Sequence, residues 1–502
     1  MIGRKGFDNE KYLEEQSSEI LRRVENADGR LYLEFGGKLM YDHHAARVLP
    51  GYDPNVKIRL LEKLKDRAEI ILCIYAGDIE KRKIRGDFGI TYDADALMLI
   101  DGFRSRGIEL RGVVITRFEE QPSAVAFENK LKRRGVDVFR HYFTKGYPTD
   151  VELIVSEKGY GKNDYIPPTK PLVVITGPGP GSGKLATCLS QLYHDQKRGT
   201  KAGYAKFETF PVWNMPLKHP VNDAYEAATA DLQDVNLVDP FHLDAYGEIA
   251  INYNRDVEAF PVVKRILEKI TGDKSPYASP TDMGVNRVGF GITNDEVVRY
   301  AAKQEIIRRY FRYRCEYAMG LADKKTVQKI ELMMTSLDLT RYDRPVVEPS
   351  EKRGGLDKSD GDLLENKAAA LQLRNGSIVT GRSSELMHAS SAIVLNGIKQ
   401  LAGLENSVHL LAPAIIQSIR KLKTAISSLP LRLDLEEVLI ALSVSAATSE
   451  PAALGMQKLT ELRNCEAHLT HMPSSGDESG LRSLGINVTS DPRFRSSQLF
   501  NG

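Results

Sequence analysis

The residues best suited to chemistry lie in one short run, Gly177-Pro-Gly-Pro-Gly-Ser-Gly-Lys184, directly behind the apolar stretch Pro171–Thr176. Glycines let backbone N–H groups converge on an anion, a helix start adds positive dipole, and a lysine adds a full charge. A strand, a glycine-rich turn and a helix in this order predict a phosphate cradle built from Gly177, Gly179, Gly181, Ser182, Gly183 and Lys184. The match to the nucleotide pattern G-x-x-x-x-G-K-[ST] is imperfect. Pro178 stands where the first glycine belongs, and Leu185 stands where a magnesium-binding hydroxyl belongs. Thr187 lies about 200° further round a helix and does not replace that hydroxyl. Pro178 and Pro180 also bring no N–H group. Close strand-to-helix packing would explain the glycines alone. It would not explain a lysine at a helix start, where a cation opposes the dipole.

A second group follows downstream. Val235–Val238 predicts a strand that ends in Asp239-Pro-Phe-His-Leu-Asp244, with Glu248 four residues on and Asn252, Asn254 and Arg255 beyond. If that strand end faces the glycine loop, Asp239 and Asp244 would hold magnesium through oxygen and His242 would move protons. Lys184, His242, Asp244, Glu248 and Arg255 would then form the catalytic set. In a plain polar turn the same side chains would bond only to backbone. Lys206, Glu208 and Thr209 close the strand after the loop's helix, where neighbours of the loop should sit.

Weaker groups are Gly36-Gly37-Lys38 with Asp42-His43-His44, which more often form a simple loop. Thr380-Gly-Arg-Ser-Ser384 leads into a helix carrying His388, and Glu466 and His468 share one strand face; together they predict a second polar pocket. His471 falls on the opposite face, which disfavours a zinc set. Arg308–Arg314 interleaves cations and aromatics, but on one helix the cations spread over several faces. This predicts a solvated or inter-subunit helix rather than a nucleic-acid surface. Asp87-Phe88-Gly89 spells a kinase triplet without the other kinase segments and is read as coincidence.

These groups need elements to position them. Short apolar strands at Leu31–Phe35, Glu69–Tyr75, Arg111–Thr116, Val136–Tyr142 and Pro171–Thr176 alternate with helical segments. That alternation predicts an α/β fold with a mostly parallel sheet and ligands beyond the C-terminal strand ends. From Val257 to Leu337 the pattern turns to long amphipathic helices, a helical subdomain. Residues 343–370 are rich in charge and turn formers and predict a linker. Asn375-Gly376 signals a hairpin that opens a second, smaller α/β unit. The expected boundaries are 1–256, 257–342, 343–370 and 371–502.

The 502 residues are 42% hydrophobic and 27% charged, enough to bury cores in about three domains. A net charge of +2, from 69 basic and 67 acidic residues, gives no field to hold a polyanion, so no nucleic-acid partner is expected. The N-terminus lacks a signal-peptide pattern, and the apolar runs fall short of the roughly 18 residues of a membrane span. Cys73, Cys188, Cys315 and Cys465 are far apart and form no CxxC pair, which predicts reduced core thiols and a cytoplasmic protein.

Two segments, GPGPGSGKLATCLSQLY at 177–193 and DPFHLDAYGEIAINYNR at 239–255, resemble a bacterial family, domain-of-unknown-function family eighteen-forty-six. The resemblance extends over nearly the whole chain. It implies a bacterial cytoplasmic protein with α/β domains and a helical insertion, and it carries over no activity and no catalytic residue. Two readings therefore stay open. One is an enzyme that binds a phosphorylated small molecule or a nucleotide at Gly177–Lys184, with magnesium as the metal and phosphoryl-transfer or ligase-type chemistry. The other is a non-catalytic metabolite-binding protein or homo-oligomeric scaffold.

Overall fold

The computed structural model describes residues 3–85, 89–355, 367–426 and 432–495. Asp87 and Phe88 of the kinase-like triplet lie outside the described residues, as does 356–366 within the expected linker. The chain divides into two compact units. One is Lys5–Glu226 with Asp234–Ala302; the other is Lys303–Gly502 with Met1–Arg4 and Ala227–Gln233.

The first unit is built on seven parallel strands: β1 Arg30–Phe35, β2 Ala68–Tyr75, β3 Leu110–Thr116, β4 Val138–Arg140, β5 Leu172–Thr176, β6 Ala202–Phe207 and β7 Gly284–Val285. Their order across the sheet is β7-β6-β1-β5-β2-β3-β4. All neighbouring pairs are parallel. Strands β2 and β5 read as unbroken apolar runs because both their faces are covered. The chain steps outward through β2, β3 and β4, returns to insert β5 beside β1, and then places β6 on the other side of β1. The direction of winding reverses here, so a crevice opens at the C-terminal strand ends beside β1 and β5.

Three helices of this unit matter for the site. Helix α1 (Asn9–Asn26) is capped by Asp8, whose carboxylate accepts from the amides of Glu10 and Lys11. Helix α2 (Lys184–Lys197) follows β5 through the glycine loop. Helix α3 (Asn254–Thr271) is amphipathic, and its Phe260, Val263, Ile266, Leu267 and Ile270 pack with Cys188, Leu189 and Leu192 of α2 against Tyr32, Cys73, Val173 and Ile175 of the sheet. The helical stretch expected from Val257 onward thus begins as a covering layer of the parallel sheet.

The second unit carries a four-stranded sheet of β8 Ala368–Gln372, β9 Ile378–Arg382, β10 Glu466–Leu469 and β11 Asn487–Ser490, in the order β9-β8-β10-β11. The Asn375-Gly376 hairpin joins β8 to antiparallel β9, with Gly376 at φ 88°, a conformation that favours glycine. Helices α4 (Ala389–Leu401), α5 (Leu435–Ala446) and α6 (Ser475–Ser483) belong to this unit. Ile393, Ile398, Val438 and Leu442 of α4 and α5 pack on Ala369, Leu371, Ala467 and Leu469 of the sheet. Val347–Gly354 is helical, so the first part of the expected linker has regular structure.

The Arg308–Arg314 stretch is solvated only in part. Glu305 is fully buried and pairs with both Arg308 and Arg309, Arg308 also pairs with Glu466, and Phe311 is in the core. Arg312 instead pairs with Glu316 at an exposed position, and Arg314 donates to the Tyr310 hydroxyl. All four cysteines are buried and free. Among the described residues no helix is long and apolar enough to cross a membrane.

Candidate functional site

The glycine loop occupies the crevice position. Gly181 and Gly183 take φ 74° and 90°, which turn the chain sharply from β5 into α2. Gly177 and Gly179 serve close approach: a Cβ would lie 2.5 Å from the Cys73 carbonyl oxygen at the first and 2.5 Å from the Tyr92 hydroxyl at the second. The loop is braced from β3. Thr116 Oγ1 donates to the Ser182 carbonyl at 2.8 Å, and the Arg117 guanidinium donates to the Gly181 carbonyl while stacking on Tyr75, 3.4 Å from the ring centroid. Among the described residues, the amides of Gly179, Gly181, Ser182 and Gly183 donate to no protein acceptor.

Lys184 opens α2 and is half-buried. Its Nζ donates to the Gly179 carbonyl at 3.2 Å and to Ser182 Oγ at 3.3 Å, and it makes no ion pair among the described residues. Burial lowers its pKa; Glu34 offsets part of this and Lys206 adds to it. Leu185 packs against the apolar core of the sheet, and the Thr187 hydroxyl lies within 3.3 Å of His141 Nδ1, so no hydroxyl follows the lysine into the loop.

Beside the lysine, on the same side of the sheet, sits a buried ionisable cluster. Glu34 of β1 is in register with Lys206 of β6 and accepts from the Tyr204 hydroxyl at 2.8 Å. Lys206 Nζ lies 2.9 Å from Glu208 Oε1, pairs with Asp256 and reaches the Tyr253 hydroxyl at 2.5 Å. Burial and the neighbouring Asp256 push the Glu208 carboxyl up to about 8, against the pull of Lys206. Asp256 is held down by Lys206 in spite of its burial, and the two carboxyl groups share a hydrogen bond. At neutral pH Glu208 is therefore the protonated donor and Asp256 the charged acceptor. The expectation that Lys206 and Glu208 neighbour the loop is met. Glu34, Tyr253 and Asp256 join them; Glu34 lay in no motif, and Tyr253 and Asp256 stand in and directly after the 239–255 segment without having been singled out.

Of the Asp239–Arg255 segment, Tyr253 reaches the cluster beside the loop, while the residues expected to carry chemistry have other partners or none. Asn236–Val238 is paired antiparallel with Ile251–Tyr253 in a separate two-stranded ribbon, not in the parallel sheet. Asp239 caps the short helix Pro240–Tyr246, accepting from the amides of Phe241 and His242 at 3.0 and 3.1 Å, and takes the Thr281 hydroxyl at 2.6 Å. With both oxygens engaged it is a structural cap and not a magnesium ligand. His242 Nδ1 meets Ser279 Oγ at 3.0 Å, and Arg255 is committed to Asp234 through bonds of 2.5 and 2.8 Å. Asp244 and Glu248 are exposed, and their side chains have no hydrogen-bond partner among the described residues. Among the described residues no cluster of His, Cys, Asp and Glu is arranged to hold a metal.

The other groups resolve in the same way. Asp42 pairs with buried Lys57 at 2.8 Å and caps the following helix through the Ala45 amide, while Gly36 lets its strand end approach the Phe207 carbonyl. The second polar pocket separates into two places. Glu466 is held by Arg308 and Arg344, each at 2.8 Å, and His468 by the Thr489 hydroxyl at 2.8 Å. His388 instead meets Asp477 at 2.7 Å.

Comparison with known proteins places nearly the whole chain in one family. Residues 5–338 match the model described as "Domain of unknown function DUF1846, N-terminal", and residues 342–500 match "Domain of unknown function DUF1846, C-terminal". A UPF0371 protein of Clostridium botulinum is 58% identical over 497 residues, covering 99% of each chain, and one of Clostridium tetani is 57% identical over the same length and share. The chain thus belongs to the DUF1846 family and carries its N-terminal and C-terminal domains in succession.

Proposed function

We propose that the protein is a cytoplasmic enzyme that binds a phosphorylated small molecule, a nucleotide included, on the Gly177–Lys184 loop. The observation that carries the reading is the set of loop amides that have no protein acceptor among the described residues, at a helix start, beside a lysine that makes no ion pair among them. Such a set suits three or more oxygens of a phosphate group. Lys184 needs only to leave two long hydrogen bonds within the loop to reach it. Arg117 and the dipole of α2 add to the favourable field.

What supports catalysis rather than binding alone is the adjacent cluster. A carboxyl group poised near neutrality, hydrogen-bonded to a second carboxylate and next to a buried lysine, can give or take a proton during phosphoryl or acyl transfer. The acid–base roles pass from His242, Asp244 and Glu248 to Glu208 and Asp256, with Lys206 as the charge that holds them.

The test is a thermal melt of the protein in phosphate-free buffer with phosphate, pyrophosphate or a nucleotide added. At a hundredfold excess over the dissociation constant, the ligand should stabilise by about 2.7 kcal/mol. The shift must depend on Lys184. A shift that survives Lys184→Met unchanged does not arise at the loop, and no shift with any of these anions leaves the glycines as packing alone. Turnover of the bound nucleotide separates the enzyme from the non-catalytic binder.

A further inference from the structure

A second set of charged and buried polar groups lies in the C-terminal unit, independent of the glycine loop. Three helix starts meet there around one carboxylate. Asp477, in the first turn of α6, accepts from His388 Nδ1 at 2.7 Å, from Ser390 Oγ at 2.5 Å and from the Leu435 amide at 3.0 Å. His388 caps α4, Ser390 lies in its first turn, and Leu435 opens α5. Burial opposes ionisation of Asp477, but His388, Ser390 and Ser474 hold its carboxyl down at about 2. Its charge offsets the three helix dipoles. Because its Nδ1–H points at Asp477, His388 presents Nε2 as its other polar atom, and that atom has no partner among the described residues.

Around this core stand further charged groups. The end of β8 where Ala368 pairs with Arg382 is also the end where Ala369 pairs with Leu469. Lys367 therefore stands beside the chain that continues from Leu469 to His471. Lys367 is half-buried and makes no ion pair and no side-chain hydrogen bond among the described residues. Burial, and then repulsion from Arg432 and Arg495, lower its pKa. Arg432 is likewise unpaired among the described residues. Lys367 and Arg432, the two without a partner among the described residues, thus share one place with Arg495 and with the carboxylates of Asp477 and Asp434.

The observation that points to a ligand is His471. It is 5% exposed, its Nδ1 is buried without a hydrogen-bond partner, and its ring lies among Lys367, Asp477, His388 and Arg495. In the first turn of α4 the Ser391 hydroxyl is also buried without a partner. A buried polar atom left unpaired costs free energy that a bound group would recover. His471 Nδ1, unpaired and beside a lysine with no partner among the described residues, calls for an acceptor-rich anion.

We propose that the C-terminal unit holds a second ligand site, specific for the phosphate group of a small molecule, formed by Lys367, His388, Arg432, His471 and Arg495. An anion there supplies acceptors for Lys367 and Arg432 and relieves the repulsion on Lys367. Its oxygens accept from the lysine, from the arginines and from His471 in its Nδ1–H tautomer. His388 Nε2, oriented by Asp477, faces it as the group able to exchange a proton.

The experiment is isothermal titration calorimetry of full-length Lys184→Met protein with inorganic phosphate, in a buffer free of other multivalent anions. Removing Lys184 takes the glycine loop out of the measurement, so the fate of either site is read separately. One phosphate should bind per chain. Adding Lys367→Met should weaken it about tenfold or more, since a charge-assisted hydrogen bond is lost. Arg432→Gln, at a half-buried position with no structural bond to break, should weaken it in the same direction. In the folded protein, phosphate should also move the side-chain ¹⁵N resonances of His471 and His388. No phosphate binding to Lys184→Met protein overturns the proposal. So does binding that both substitutions leave unchanged, or that leaves the two histidine signals unmoved.

Discussion

Replacing Lys184 by methionine separates a ligand-binding lysine from a structural one. In the unliganded protein the side chain contributes two hydrogen bonds, at 3.2 and 3.3 Å, worth about 0.5–1.5 kcal/mol each. Against them stand an ammonium at a helix N-terminus, which costs about 0.3–1 kcal/mol, and its burial. Burial lowers the folded-state pKa of this lysine, so between its folded and unfolded values the folded protein holds fewer protons. Below that window the charged form is a cost, and stability rises as pH climbs through it. Methionine removes the cost and keeps the aliphatic bulk. These opposing amounts leave the unliganded variant within about 1 kcal/mol of its parent at pH 7. Binding behaves differently. Loss of one charge-assisted contact to a phosphate oxygen is worth about 1.5–3 kcal/mol, or roughly 10- to 150-fold in dissociation constant. At a phosphate concentration that stabilises the parent by about 2.7 kcal/mol, a hundredfold weaker variant gains only about 0.4 kcal/mol. The assay is a melt with and without phosphate, run in the Lys367→Met background so that the loop is the only site tested. A variant that keeps the full phosphate shift refutes the reasoning. So does one that is more than about 3 kcal/mol less stable without ligand, because that loss would mark the lysine as part of the fold.

Four further outcomes follow from the same geometry. Glu208 holds its proton up to about 8 in the folded state against an ordinary 4.5, so its contribution to stability is complete below 4.5 and is lost as pH rises through 8. Glu208→Gln, which mimics the protonated acid, should flatten that slope in denaturant titrations between pH 6 and 9. Arg344 is fully buried and donates to Glu466, Thr489 Oγ1 and the carbonyls of Ala467 and Asn487. Arg344→Met should cost about 3–5 kcal/mol in chemical denaturation, since the acceptors stay buried without it. Asp244→Asn and Glu248→Gln, at exposed positions, should change stability by less than about 0.5 kcal/mol and leave phosphate affinity as it was. Magnesium should not strengthen binding of bare phosphate at the loop, and an affinity that rises with magnesium in calorimetry would place a cation ligand where Leu185 supplies none.

The sequence carried the strands well because β2 and β5 are covered on both faces, and an unbroken run such as Ile70–Ile74 has few other uses. It carried the loop for a similar reason, since four alternating glycines before a lysine restrict the backbone strongly. It could not carry the order of the strands. Nothing in Leu172–Thr176 says that the strand inserts between β1 and β2, a choice made by tertiary packing. The same limit misplaced Asp239. Three residues, Asn236–Val238, read alike in a parallel sheet and in an antiparallel ribbon, and only the partner Ile251–Tyr253 decides. One usable signal was present for the residues that motif reading missed. Glu34 and Lys206 are charged positions within strands whose neighbours are apolar and buried, and such charges need partners close by. Asp256 gave no comparable signal, because an acidic residue in the first turn of a helix is ordinary.

The two lysines at the crevice divide the work between them, and their surroundings explain how. Lys206 is buried with Glu208, Asp256 and the Tyr253 hydroxyl, so moving it toward a ligand would strand an ionised carboxylate in a dry place. It sets the protonation of its neighbours and stays where it is. Lys184 is bound only to a carbonyl and a hydroxyl of its own loop, and releasing it exposes two groups that water or a ligand can satisfy at once. In the proposed site Lys184 would supply the charge at the loop, and Lys206 is the charge beside the carboxyl group that burial pushes up to about 8. A tight turn evolved for packing alone has no need of either arrangement, and a purely structural ion-pair cluster would have drawn Lys184 onto Glu34. That the lysine instead rests on its own loop, within the field of Glu34 but unpaired with it, is the feature a phosphate site requires before its ligand arrives.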